Sequence, residues 1–179
     1  MRLHPAPEAA ARVRDYSLQI SPRPDSLLWQ QDPHANRVTR ALFAGHTCEL
    51  SIAVEMTVDM TPINPFDILV EPSAEAWPLV YAPEVAAELA GMMTSQSDGP
   101  AFRAFIASHR GSPGRGTLSS LVALNHDVYR RIRYGERDEG EVQAPEQTLV
   151  LGAGSCRDSA WLMVEALRAL GCGARFASG

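Results

Sequence analysis

The sequence predicts an α+β fold: an antiparallel sheet of about four strands, then three or four helices. Three observations carry this. Residues 49–60 alternate polar and apolar without a break, with Leu50, Ile52, Val54, Met56, Val58 and Met60 on one face and Glu49, Ser51, Ala53, Glu55, Thr57 and Asp59 on the other. A strand with one apolar and one polar face belongs in an antiparallel sheet. From residue 83 onward the apolar positions recur at helical spacing, as in Val85, Leu89 and Met92. Between the two patterns, Thr61–Pro78 holds four prolines and is too punctuated for a regular element. The expected division is a β region over 1–80 and a helical part over 81–179.

Each element follows from its own residues. Residues up to about Arg12 form an irregular lead-in. Tyr16, Leu18 and Ile20 alternate with Asp15, Ser17 and Gln19, a half-buried strand that Pro22 and Pro24 end. A short strand is expected near Leu27–Gln30, a turn at Asp32–Asn36, and a strand over Val38–Phe43. Ala44-Gly45-His46 then turns into the long strand, with Cys48 at its start and its apolar face in the core. Pro83–Met93 and Ala101–His109 read as short helices, and Gly111–Gly116 as a linker. Thr117 is placed as the cap of a longer helix to about Arg133, with Leu121, Leu124, Val128 and Ile132 on its apolar face. Residues Glu136–Gln147 are acidic and read as a solvated connector.

That connector leads into Gly152-Ala153-Gly154-Ser155-Cys156-Arg157-Asp158, a glycine-rich turn opening a helix. Ser155 is the expected N-cap, and Asp158 completes an S-x-x-D capping box. The following run is apolar around most of its circumference, with Glu165 and Arg168 on a narrow polar strip, and Gly171 stops the helix. Cys156 is thus expected at the first helical position, where free N–H groups and the positive end of the macrodipole favour a thiolate and can stabilise an oxyanion. Gly152 and Gly154 would leave room for a substrate backbone, and Arg157 could help to hold the thiolate. A small residue tolerated at the start of a core helix is the plainer alternative. Asp158, on the same helix two residues on, would point away from a histidine shared with Cys156, so the cap is its expected role.

The 179 residues suffice for one domain or two small subdomains, with 45% hydrophobic and 21% charged residues. A net charge of −5 offers no nucleic-acid surface, and no apolar run is long enough to span a bilayer. Cys48, Cys156 and Cys172 match no zinc spacing, so no metal or cofactor is expected and a reducing cytoplasm is the expected setting. Cys48 and Cys172 read as structural. His4, His34, His46, His109 and His126 are candidate bases, each with a surface or structural reading that is simpler.

Several stretches resemble bacterial transglutaminase-like proteins of the papain-like cysteine group. They are Trp29-Gln30-Gln31-Asp32-Pro33, Asp59–Asp67, Pro145–Leu149, Gly154–Leu162, Leu167–Gly171 and Ala174–Gly179. The resemblance implies a Cys-His-Asp triad with Cys156 as nucleophile, which attacks a peptide or protein amide, forms an acyl-thioester and passes the acyl group to an amine or to water. In that family the His and Asp follow the cysteine helix, in H-A-W-like and D-P-T-like segments. The sequence ends at Gly179 before either, and Arg2–Pro7 resembles a segment reached after a first strand. The expectation is therefore an inactive fragment of an enzyme, ending in the nucleophile helix of a partial core. Loss of the covering sheet would expose Trp161, Met163, Val164 and Leu167 and drive self-association, with strand exchange through Ala174–Ser178 as one route. The competing reading is a non-enzymatic protein-interaction module that has lost its triad.

Overall fold

The structure, a computed structural model, describes residues 1, 3–5, 11–62, 64, 67–111, 115–136 and 141–177. Parts of the lead-in, of the Thr61–Pro78 crossing, of the Gly111–Gly116 linker and of the acidic loop, with Ser178 and Gly179, lie outside the described residues. The chain forms two compact units, residues 1–68 and 69–178, so residues 69–80 group with the helices.

The first unit holds the four expected strands. β1 (Ala11–Ser21) pairs antiparallel with β4 (Ser51–Met60), and β2 (Ser26–Gln31) pairs antiparallel with β3 (Arg37–Leu42). The β2–β3 hairpin closes around Asp32, whose carboxylate accepts from the backbone N–H of His34 and Asn36 and from the Asn36 amide, as turn chemistry predicts. The strands form two separate two-stranded ladders. β1 and β2 are joined through Pro22 and Pro24, which have no N–H to donate to a ladder, and the hairpin closes on itself.

The register sets Tyr16 opposite Met56, Leu18 opposite Val54 and Ile20 opposite Ile52, so these side chains share one face as the alternation requires. That face is not the packed core expected of it. Ile52, Val54 and Met56 remain 40%, 38% and 40% exposed. The two ladders leave a cavity of about 450 Å³ bounded by Ile20, Ile52, Val38, Ala41 and Phe43, so the second layer covers the face incompletely. Cys48 lies in a bend before β4 and is exposed, which corrects its placement in a strand.

The second unit contains, among the described residues and besides a short 3-10 turn at Pro72–Ala74, five α-helices. They are α1 (Pro83–Met93), α2 (Pro100–His109), α3 (Thr117–Arg131), α4 (Pro145–Leu151) and α5 (Cys156–Ala169). Two-residue strands β5 (Arg133–Tyr134) and β6 (Ala153–Gly154) pair in parallel. α2, α3 and α5 surround a core of Phe102, Phe105, Ile106, Leu124, Val128 and Leu162, with Trp77 against it. Trp77 brings the proline-rich crossing into this core and donates from its indole to the His109 carbonyl at 3.1 Å. α1 buries no residue fully: Val85 is exposed and Leu89 half-buried. The cap of α3 is Gly116, not Thr117. The Thr117 hydroxyl donates instead to the Ala76 carbonyl at 2.8 Å, tying α3 to the crossing.

Candidate active site

The turn before α5 is built from the outside in. Gly152 ends α4 in the left-handed region at φ 58°, where a glycine costs least. Ala153 and Gly154 then pair with Arg133 and Tyr134, with Arg133 N–H on the Gly152 carbonyl at 2.9 Å and Gly135 N–H on the Gly154 carbonyl at 3.0 Å. Ser155 caps α5, and both halves of the capping box form. The Ser155 hydroxyl accepts from Asp158 N–H at 3.3 Å, and Asp158 Oδ2 accepts from Ser155 N–H at 2.7 Å. The same oxygen takes the Ser155 hydroxyl at 2.9 Å.

Asp158 does more than the sequence suggests. Its Oδ1 accepts the backbone N–H of Gln143 at 2.8 Å, so a side chain only 1% exposed joins the α5 cap to the end of the acidic loop. A Cβ on Gly154 would press against the Asp158 side chain. The two glycines therefore answer to internal demands, helix termination at Gly152 and contact with Asp158 at Gly154. Cys156 is the first residue of α5 and is exposed, and so is Arg157. A buried carboxylate in the first turn also offsets part of the helix's positive end, so the field at Cys156 is weaker than a bare N-terminus would supply.

Two further carboxylates hold this region from behind. Glu146, in the first turn of α4, accepts the N–H groups of Ala101 and Phe102 at 3.1 and 2.7 Å and so caps α2 in place of a local side chain. Gly99 is required there because a Cβ would collide with the Glu146 carboxylate. The segment read as a solvated connector is thus partly a helix, and its Gln143 is buried with its amide oxygen on the Thr148 hydroxyl. Pro145 followed by Glu146 is a helix-start signal that the acidic composition masked.

Glu165 is the largest correction. Expected on a polar strip, it is fully buried, and its Oε2 accepts from the Ser95 hydroxyl and from the backbone N–H of Gln96 and Ser97 at 2.7–3.0 Å. Arg168 meets Oε1 at 3.2 Å, donates to the Ala174 carbonyl at 2.9 Å and lies over the Trp161 ring. Burial by itself would raise the Glu165 pKa, but the hydrogen bonds from Ser95, Gln96 and Ser97 outweigh it and hold the carboxyl below its ordinary 4.5.

α5 ends as expected at Gly171, with φ 87° and with Cys172 N–H on the Leu167 carbonyl. Beyond it, residues 172–177 form no strand, and Ala174 is committed to Met92 and Arg168. Val164 is buried, whereas Trp161, Met163 and Leu167 are half-buried. Cys172 is buried, which pushes its thiol pKa up. His109 is held between the Phe105 carbonyl and Asp127, and His4 lies 3.1 Å from Arg37. Among the described residues no histidine hydrogen-bonds to Cys156. Nor does any group of three or more His, Cys, Asp or Glu among them have the arrangement to hold a metal ion.

Two family models match the chain in order. The bacterial transglutaminase-like N-terminal region covers residues 1–59, and the transglutaminase-like superfamily core covers residues 108–179, including the cysteine turn. The chain is a transglutaminase-like protein. The fold agrees with a crystal structure from Cytophaga hutchinsonii described as a candidate cysteine protease. That match has a TM-score of 0.61 and 16% identity, and covers 94% of this chain and 56% of that one. The transglutaminase-like chain thus spans little more than half the length of that structure. No curated protein is a significant match. No helix among the described residues is long and apolar enough to cross a membrane.

Proposed function

We propose that Cys156 is the nucleophile of a cysteine acyl-transfer or amide-hydrolysing site. Its thiolate attacks an amide carbonyl, the C–N bond breaks with protonation of the departing amine, and the acyl-thioester passes its acyl group to water or to a second amine. The observation that carries this is an exposed thiol at the first position of α5, on a turn whose supporting side chains, Ser155 and Asp158, are buried and fully engaged. First-turn N–H groups at that place suit an oxyanion. The substrate class is a peptide or protein amide, and the setting is the cytoplasm.

The second reading is an interaction module without catalysis. It is favoured by Cys156 having no histidine on its thiol among the described residues, since a base is half of the mechanism.

Alkylation of the intact chain with iodoacetamide at neutral pH, followed by peptide mass spectrometry, tests the proposal. Cys156 is expected to label faster than Cys48, which is also exposed, with Cys172 protected by burial. Equal rates at Cys156 and Cys48 would favour the module.

A further inference from the structure

We propose that β4 is a dimerisation edge whose occupant is β4 of a second copy, antiparallel about a two-fold axis at Met56. The proposal stands apart from the chemistry of Cys156. β4 is a long strand paired with β1 along one edge, and among the described residues its other edge has no ladder partner. Such an edge, rich in β-branched and apolar residues, is a template for another strand. Ile52, Val54 and Met56 on its apolar face are each about two-fifths exposed.

Among the registers that set no acid opposite an acid within β4, an axis at Met56 pairs the longest stretch, residues 52–60, against 51–57 for an axis at Val54 and 56–60 for one at Val58. Antiparallel pairing must keep apolar residues on the same face, so the axis passes through a residue and not between two. An axis at Glu55 sets two glutamates face to face. An axis at Thr57 sets Glu55 against Asp59 twice. An axis at Met56 opposes Ile52 to Met60, Val54 to Val58 and Met56 to itself, while Glu55 meets Thr57 and Asp59 meets Ala53. No acid then faces an acid, and β1–β4 of each copy joins one four-stranded sheet with a continuous apolar face.

Ala53 is the place to test this. Within the chain it faces the neutral Gln19, and in the proposed dimer it faces Asp59 of the second copy, whose half-exposed carboxylate is ion-paired with Arg14 on one side and open to a second cation on the other. Sedimentation of the full chain over a concentration series is expected to show a monomer–dimer equilibrium. Ala53→Lys should tighten it and Ala53→Glu weaken it, separating their Kd values by about tenfold. In a background without Cys48 and Cys156, Met56→Cys should form a disulfide-linked dimer on oxidation while Val54→Cys does not, because only position 56 faces itself. Unchanged hydrogen-exchange protection of the β1–β4 ladder at monomeric dilution shows that each variant keeps its β unit folded. A chain that stays monomeric at every concentration overturns the proposal. So do equal Kd values for the two Ala53 variants, or equal crosslinking at positions 54 and 56.

Discussion

The two units of this chain use apolar residues in different ways. Among the described residues, the only fully buried side chain of the β unit is Thr39, although β1 and β4 carry a regular apolar face. The helical unit buries Trp77, Phe102, Phe105, Ile106, Leu124, Val128 and Leu162, and with them Asp158 and Glu165. Periodicity reports which side chains share a face. Whether that face is dry depends on a second layer of matching shape, which five helices provide and two short ladders do not. The helical unit is therefore where substitutions should cost most.

Leu162→Ala should be the most damaging single change, at about 4 kcal/mol, because it opens a cavity at a fully buried position between helices. Urea unfolding measures it, followed by helical circular dichroism for this unit and by hydrogen exchange of the β1–β4 ladder for the β unit. A loss no larger than that of Val54→Ala would break the contrast between the units.

Glu165→Ala should follow at about 3 kcal/mol, since it leaves the Ser95, Gln96 and Ser97 donors without an acceptor and Arg168 without its partner. The same carboxylate makes stability depend on pH. Its folded pKa lies below its ordinary 4.5, so its contribution is fully present above that value and is lost as pH falls through the lowered folded value. Unfolding midpoints in urea from neutral to acid pH should fall for the parent chain and fall less for Glu165→Gln. Parallel curves would remove Glu165 from the acid response.

Asp158→Ala should cost about 2 kcal/mol through the orphaned Gln143 and Ser155 donors. Asp158→Asn, which keeps an acceptor and removes the charge, should cost less and should also raise the alkylation rate of Cys156, because less charge then opposes the thiolate. A slower rate would assign Asp158 a supporting charge instead. Val54→Ala, on a face already two-fifths exposed, should cost less than about 1 kcal/mol at dilutions where the chain is monomeric.

Much of this was legible in the residues. Alternation located β1 and β4, the turn chemistry of Asp32–Asn36 located the hairpin, and Ser155, Asp158 and Gly171 marked both ends of α5. These are local signals, settled by backbone hydrogen bonds within a few residues. The placement of Cys156 at the first position of α5 followed from the same logic, whereas its exposure did not; the resemblance to the transglutaminase-like proteins was carried by the motif stretches themselves.

What the chain could not state locally is which polar groups the tertiary structure would withdraw from water. Glu165 looked like surface by helical position, but loop 95–97 folds over it and presents three donors. Glu146 looked like part of a solvated acidic run, yet it caps a helix some 45 positions earlier in the chain. Asp158 looked like a local cap and also holds Gln143. In each case a carboxylate meets donors that are distant in sequence, so no spacing rule can find the pair. The sequence by itself determined where elements start, stop and alternate, because those choices are made by neighbouring residues. Only the tertiary structure decided which faces stay dry and which charges are buried, because burial is a property of what packs on top.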